Sequence, residues 1–193
     1  MNADDFNQTK LLEWFVKLGS VNNWDFEIRE GNSKRKYLEL KTKFILDGTS
    51  DENKIVINGE FHIVYSFNYQ VPVFYFNYYH TNGMYLNTKE IENIIVHNNQ
   101  GNRIRNFHDI NEMVVQTEHP MLKRPYFMLH PCRTEATLGH FTLNSINVRN
   151  KRMNCLKKYL ITWFQVYGAL LNLHLPIKFF KFILENLERE GVE

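Results

Sequence analysis

An α+β fold is predicted, and three features of the sequence predict it. Apolar residues recur at helical spacing near the start of the chain. They then alternate with polar residues along successive runs between Trp24 and Tyr79, and return to helical spacing between Leu156 and Leu187. With 193 residues and no internal repeat, low-complexity tract or Pro/Ser-rich linker, residues 1–193 are expected to form a single domain.

The first element is an amphipathic helix over Gln8 to Leu18, with Leu11, Trp14, Phe15 and Leu18 on one side and Gly19 as its stop. It lacks the basic face of a membrane-surface helix and is read as packing on a core. From Trp24 the period falls to two. Trp24, Phe26 and Ile28 form one strand face, and Leu38, Leu40, Thr42, Phe44 and Leu46 form the next. Asp47-Gly48 opens a polar loop. A third strand carries Phe61, Ile63, Tyr65, Phe67 and Tyr69, and Asn58-Gly59 before it reads as a tight turn or a bulge. Val73 to Tyr79 is apolar on both faces, so it is expected to be well covered, either by the helices or by a docked partner. Short connections between these four strands predict an antiparallel meander.

Asn87-Thr88-Lys89-Glu90 has capping-box spacing ahead of Ile91, Ile94 and Ile95, which predicts a short helix. Pro125 to His130 reads as a further extended segment running into Pro131, and the stretch from Arg133 to Asn150 has no strong period. Leu156, Tyr159, Leu160, Trp163, Val166, Tyr167 and Leu170 trace the clearest helical stripe. Pro176 suits the first turn of a last helix carrying Ile177, Phe180, Ile183, Leu184 and Leu187.

Composition excludes several classes. Hydrophobic residues make up 44% of the chain, enough for a core, so a disordered tail is ruled out. The 23 Lys+Arg against 21 Asp+Glu leave a net charge of +2, which gives no electrostatic footprint for nucleic acid. No uninterrupted apolar run reaches the roughly 18–20 residues that cross a bilayer, and the acidic, polar Asn2-Ala3-Asp4-Asp5 is not expected to belong to a leader sequence. Cys132 and Cys155 are too few for a disulfide framework, so the reducing cytosol is the expected compartment.

The chemistry is narrowed by what is missing from the sequence. It has no glycine-rich phosphate loop and no GxSxG elbow. His119, His130, Cys132, His140 and Cys155 fall in one region, but without a CxxC pair, an HExxH or a complete deaminase signature they make a poor zinc set. Cys132 remains. Pro131 has no N–H and a fixed φ, so it ends the preceding ladder and turns the next residue outward. A thiol at that point is fixed yet accessible, and the neighbouring Arg133 favours its thiolate. The competing reading is a buried cysteine packed as a small hydrophobe. Cys155, beside the apolar stripe, is read as structural. His62, on the polar face of its strand, and His80, His97 and His108, in or near loops, are read as solvated or locally bonded.

The block from Gln116 to Thr134, with Glu118-His119-Pro120, Pro125-Tyr126-Phe127 and His130-Pro131-Cys132-Arg133-Thr134, resembles the autophagy-related protein 10 family of E2-like conjugating enzymes. Tyr159 to Phe164 and Leu173-His174-Leu175-Pro176 are similar to that family's C-terminal helix and Leu-x-Leu-Pro step. The resemblance covers about Gln116 to Lys181. It implies an E2-core-like fold: an N-terminal helix, a four-stranded meander, an active-site segment and two C-terminal helices. It also implies a cytoplasmic enzyme recruited to the pre-autophagosomal site, without stable membrane insertion or nucleic acid. Cys132 is then the thioester nucleophile. It takes a ubiquitin-like modifier (autophagy-related protein 12) from an E1-like activating enzyme and passes it to a lysine of an acceptor (autophagy-related protein 5). ATP is spent by the E1-like enzyme, so no cofactor or metal is implied.

Ordinary ubiquitin E2 enzymes carry an HPN whose Asn assists transfer, and no Asn lies between Lys123 and Pro131. Asn111 and Tyr65 are the polar candidates for that role, and His130 and Thr134 flank the nucleophile. Three other readings stay open: an E2-like enzyme for lipid conjugation, a non-catalytic α+β binding module in which Cys132 is structural, and a cysteine hydrolase.

Overall fold

The computed structural model describes residues 1, 3–7, 9–31, 34–47, 54–98, 113–131, 149–173 and 175–189. Its elements run α1 (Ala3–Phe6), α2 (Thr9–Ser20), β1 (Phe26–Glu30), β2 (Lys36–Asp47), β3 (Lys54–Ser66), β4 (Val71–His80) and α3 (Thr88–Asn98). There follow β5 (Val114–Glu118), β6 (Pro125–Leu129), α4 (Arg149–Gly168), a short 3-10 turn over Ala169–Leu171, and α5 (Ile177–Arg189). The strands form one six-stranded sheet in the order β1-β2-β3-β4-β6-β5, with every neighbouring pair antiparallel. The expected α+β class and four-strand meander are both present, and the meander is widened by a β5–β6 hairpin.

Directly opposed residues on paired strands share a face, and this sorts the sheet into two sides. On one side Leu40 opposes Phe61, Leu38 opposes Ile63, and Phe61 opposes Phe76. This side carries the main core with α2 and α4. Phe15 of α2 meets Phe26 and Phe164 edge-on at 5.3 and 5.2 Å, and Phe74 stacks on Trp163 at 4.7 Å. Burying aromatic side chains of this size accounts for most of the packing free energy available here, at roughly 25 cal/mol per Å² of apolar surface. The second side holds Tyr37, Val64, Val73, Tyr75, Tyr126 and Met128, and the β5–β6 turn folds over it with Met121.

Most local readings correspond to elements. The capping box closes as predicted: Asn87 Oδ1 accepts from Glu90 N at 3.1 Å, and Asn87 N donates to Glu90 Oε2 at 2.8 Å. β4 lies between β3 and β6 with both faces covered from Pro72 to Tyr78, so its aromatics there are core. The Leu173–Pro176 step is tied to α4 by Gln165, whose Nε2 donates to Leu175 O at 3.1 Å and whose Oε1 accepts from Leu175 N at 3.0 Å. On the two C-terminal stripes, Val166 and Ile177 are exposed, because those positions turn away from the sheet.

Two expectations are corrected. Asn58-Gly59 is neither a turn nor a bulge: β3 runs straight through it, with Gly59 opposite Thr42 and Tyr78. A Cβ at Gly59 would meet the Phe61 ring at 2.5 Å and the Phe44 ring at 2.7 Å, so the glycine makes room for aromatic side chains. His62 is not solvated but fully buried, because the β5–β6 hairpin covers what alternation alone assigns to the polar face. Most of the Arg133–Asn150 stretch lies outside the described residues, as does His174 of the Leu-x-Leu-Pro step.

Candidate active site

The site is the segment delivered by β6. This strand pairs with β4 at Tyr75↔Met128 and Phe76↔Phe127, and with β5 from Val114↔Leu129 to Glu118↔Pro125. It is therefore held on both edges. Just past the strand, His130 N donates to Met113 O at 2.7 Å. Pro131 follows, buried and without an N–H to extend the ladder. β6 thus ends at Leu129, just ahead of the proline as the sequence predicts.

Cys132, Thr134 and Asn111 lie outside the described residues, as do His97's side chain, His108 and His140. Cys155, half-buried on α4, is a free thiol. Tyr65 sits under the sheet near Phe6 and Phe67, at ring-centroid distances of 6.0 and 5.5 Å, and its hydroxyl donates to Met1 O at 3.2 Å. Burial, with Asp5 nearby, raises its phenol above the ordinary value.

The structure brings a different tyrosine to His130. Tyr69 lies on the turn between β3 and β4, 45% exposed, with its hydroxyl 3.0 Å from His130 Nε2 and the two rings crossed at 73°. The turn is shaped by Gln70 in the left-handed region (φ 56°) and by Tyr69 N donating to Ser66 Oγ at 3.4 Å. Phe67, 46% exposed, stands on the same turn under the Arg35 guanidinium, which lies 4.0 Å from its ring centroid. Tyr69 and Phe67 thus set two half-exposed aromatic side chains on the turn beside His130. Alternation places Phe67 and Tyr69 on the face of the third strand, but β3 ends at Ser66 and both lie on the turn. The pairing of Tyr69 with His130 spans 61 residues and leaves no local signal.

His119 of the Glu-His-Pro block is fully buried, away from solvent. Its Nδ1 accepts from Met121 N at 3.2 Å and from Leu122 N at 3.1 Å, and its Nε2 lies 3.1 Å from His62 Nδ1. Burial, with His62 and Arg124 nearby, depresses its pKa to about 3, so it stays neutral at physiological pH. Its contacts are those of a structural histidine. Beyond it, Glu60 accepts from the Tyr79 hydroxyl at 2.6 Å. Burial works to raise the Glu60 carboxyl, but His62, Tyr79 and Lys41 outweigh it and hold it at about 2. Among the described residues, no helix is long and apolar enough to cross a membrane.

Residues 4–178 match the family described as autophagocytosis associated protein, active-site domain. The chain is 33% identical over 126 residues to the ubiquitin-like-conjugating enzyme ATG10 of Homo sapiens, covering 65% of this chain and 54% of that one. It is 34% identical to the Arabidopsis thaliana ATG10 (62% and 51% covered) and 31% identical to that of Dictyostelium discoideum (65% and 55%). The chain spans about half the length of the curated relatives it matches. A crystal structure of the autophagic E2 Atg10 superposes with a TM-score of 0.52 at 15% identity, covering 88% of this chain and 96% of that one, so the fold is shared. With a family match over nearly its whole length and that same fold, the chain belongs to the autophagocytosis associated protein, active-site domain family.

Proposed function

We propose that this chain is an E2-like acyl carrier with Cys132 as its nucleophile. The Cys132 thiolate attacks the thioester carbonyl that joins a ubiquitin-like modifier to an E1-like enzyme, and the E1 cysteine leaves as thiolate. A lysine amine of the acceptor then attacks the Cys132 thioester and loses its proton, an isopeptide bond forms, and Cys132 leaves as thiolate. The modifier is autophagy-related protein 12 and the acceptor autophagy-related protein 5. Each step passes through a tetrahedral oxyanion that needs a donor nearby.

The observation that carries this reading is the end of β6: a strand pinned on both edges stops at His130-Pro131, directly before Cys132, with the Tyr69 hydroxyl on the His130 ring. The Glu-His-Pro and His-Pro-Cys blocks and the names of the curated relatives support it. We assign Tyr69 and His130 the polar role that the missing Asn leaves open. Asn111 and Thr134 are further contributors, and Tyr65 supports the sheet beneath.

The test is a charging assay with the E1-like enzyme, ATP and the modifier, resolved on non-reducing gels. The wild type should form a reductant-sensitive adduct that survives Cys155→Ser. Cys132→Ser should instead trap a reductant-stable ester. An adduct lost with Cys155 and kept without Cys132 would sink the assignment. Transfer of a charged modifier to an aminolipid but not to a protein lysine would favour the lipid-conjugating reading. No adduct under any condition would favour the binding module.

A further inference from the structure

Between the second side of the sheet and the β5–β6 turn lies a buried polar chain. His119 Nδ1 accepts from two converging backbone amides, Met121 N and Leu122 N, so that nitrogen carries no proton. The proton of neutral His119 is therefore on Nε2, which faces His62 Nδ1 at 3.1 Å and donates to it. His62 Nδ1 is then an acceptor, and its own N–H is on Nε2. That atom lies 3.3 Å from Glu39 Oε2 and 3.5 Å from Glu60 Oε1, close to both carboxylates and squarely bonded to neither. Each tautomer is dictated by its neighbour, and donation runs one way, from the turn amides to His119 and from His119 to His62, whose N–H faces the two carboxylates.

We propose that His119 and His62 are positioning residues for acyl transfer, a one-way hydrogen-bond chain that locks the β5–β6 turn and, through β6, the approach to Cys132. The inference rests on Cys132 being the nucleophile. β6 spans five residues and meets β4 at only two register positions, so its placement depends on the hairpin that carries it. That hairpin turns on His119: its N donates to Arg124 O at 2.8 Å, its O accepts from Lys123 N at 3.0 Å, and Lys123 is held left-handed at φ 56°. The imidazole fixes two further amides of the turn, Met121 N and Leu122 N. A turn that relaxes would shift β6 along its axis and carry His130 away from Tyr69.

A metal ion is the competing occupant, because Glu39, Glu60 and His62 offer ligand atoms within 4.8 Å of one another. A metal on His62 Nε2 would require its Nδ1 to carry the proton, as metal-bound histidines donate from their other nitrogen. Here Nδ1 faces a donor. The chain and the ion exclude each other.

Two measurements decide it: ¹⁵N imidazole shifts of the wild type with and without one equivalent of zinc, and single-turnover charging of His119→Phe, His119→Gln and, as a control for lost stability alone, Gln165→Ala. The expected shifts show His119 and His62 both protonated at Nε2 and unchanged by zinc. His119→Phe should lower the maximal charging rate at least tenfold while the half-saturating concentration of charged E1 stays within twofold. His119→Gln, which can accept and donate in place of the ring, should recover most of it, and Gln165→Ala should charge as wild type. A folded His119→Phe with the wild-type rate, or an equal loss in Gln165→Ala, overturns the positioning role. A proton on His119 Nδ1, or a zinc-induced shift at His62, overturns the chain. If His119→Phe does not fold, His62→Gln takes its place with the same two outcomes. A wild type that takes no modifier overturns the nucleophile reading, and the positioning role with it.

Discussion

Mild acid should destabilise this protein well before its carboxylates titrate, and His119 is the reason. In the folded chain its pKa is depressed to about 3 by burial, then by His62 and Arg124, against 6.5 in an unfolded chain. Between those values the unfolded state takes up a proton that the folded state refuses, so stability falls as pH falls, starting near pH 6.5. Each pH unit costs up to about 1.4 kcal/mol. From pH 6.5 to pH 4.5 the loss is roughly 2–3 kcal/mol, a large share of the ~5–15 kcal/mol that holds a domain folded. Glu60 acts in a separate, lower window. Held at about 2 against 4.5 unfolded, it contributes stability present above pH 4.5 that is lost as pH falls toward 2. Urea unfolding of wild type and His119→Gln at pH 7.0, 6.0, 5.0 and 4.5 isolates the histidine, because glutamine has no proton to gain. The wild type should be the more stable at pH 7, and the gap should shrink by roughly 2–3 kcal/mol on reaching pH 4.5. Parallel stability curves across that interval would refute the buried neutral histidine.

Tyr69→Phe removes only the hydroxyl on His130 from a half-exposed side chain. Stability should change by less than about 0.5 kcal/mol, while discharge of a preformed Cys132 thioester to lysine slows about tenfold or more in a single-turnover chase. Gly59→Val should unfold at a clearly lower urea concentration, because its side chain would collide with the Phe44 and Phe61 rings; overpacking of this kind costs about 1–3 kcal/mol. Gln165→Ala leaves both Leu175 backbone groups without their side-chain partners, and calorimetry should show a loss of about 1–3 kcal/mol.

Elements whose cause is local could be read directly from the sequence. The Asn87–Glu90 cap, the Leu11–Phe15 face and the Leu156–Tyr167 stripe each depend on residues within a few turns of one another, and each is present in the fold. Val114–Glu118 gave no such signal. It is a five-residue strand with a mixed burial pattern, and it is ordered by pairing with β6 and not by its own alternation. Gly59 misled for a related reason: a glycine beside an asparagine usually marks a turn, but here its cause is the girth of two phenylalanine rings, one of them on the neighbouring strand.

The site divides along the same line. Cys132 could be singled out because Pro131 stops a ladder whatever surrounds it, and β6 does end there. The groups proposed above to support that cysteine are brought together from distant segments. Tyr69 meets His130 across 61 residues, and His62 meets His119 across 57. Neither tyrosine nor histidine differs in its own neighbourhood from the many others in the chain. What distinguishes His62 is that the strand face opposite the helices, polar by alternation, is roofed by the turn that precedes β6. A carrier whose substrates are proteins has little need of a deep pocket. On the carrier reading proposed above, the demand is that one thiol be presented to two large partners in turn, and the element assigned that task is β6, paired on both edges and bordered at His130 by the Tyr69 phenol.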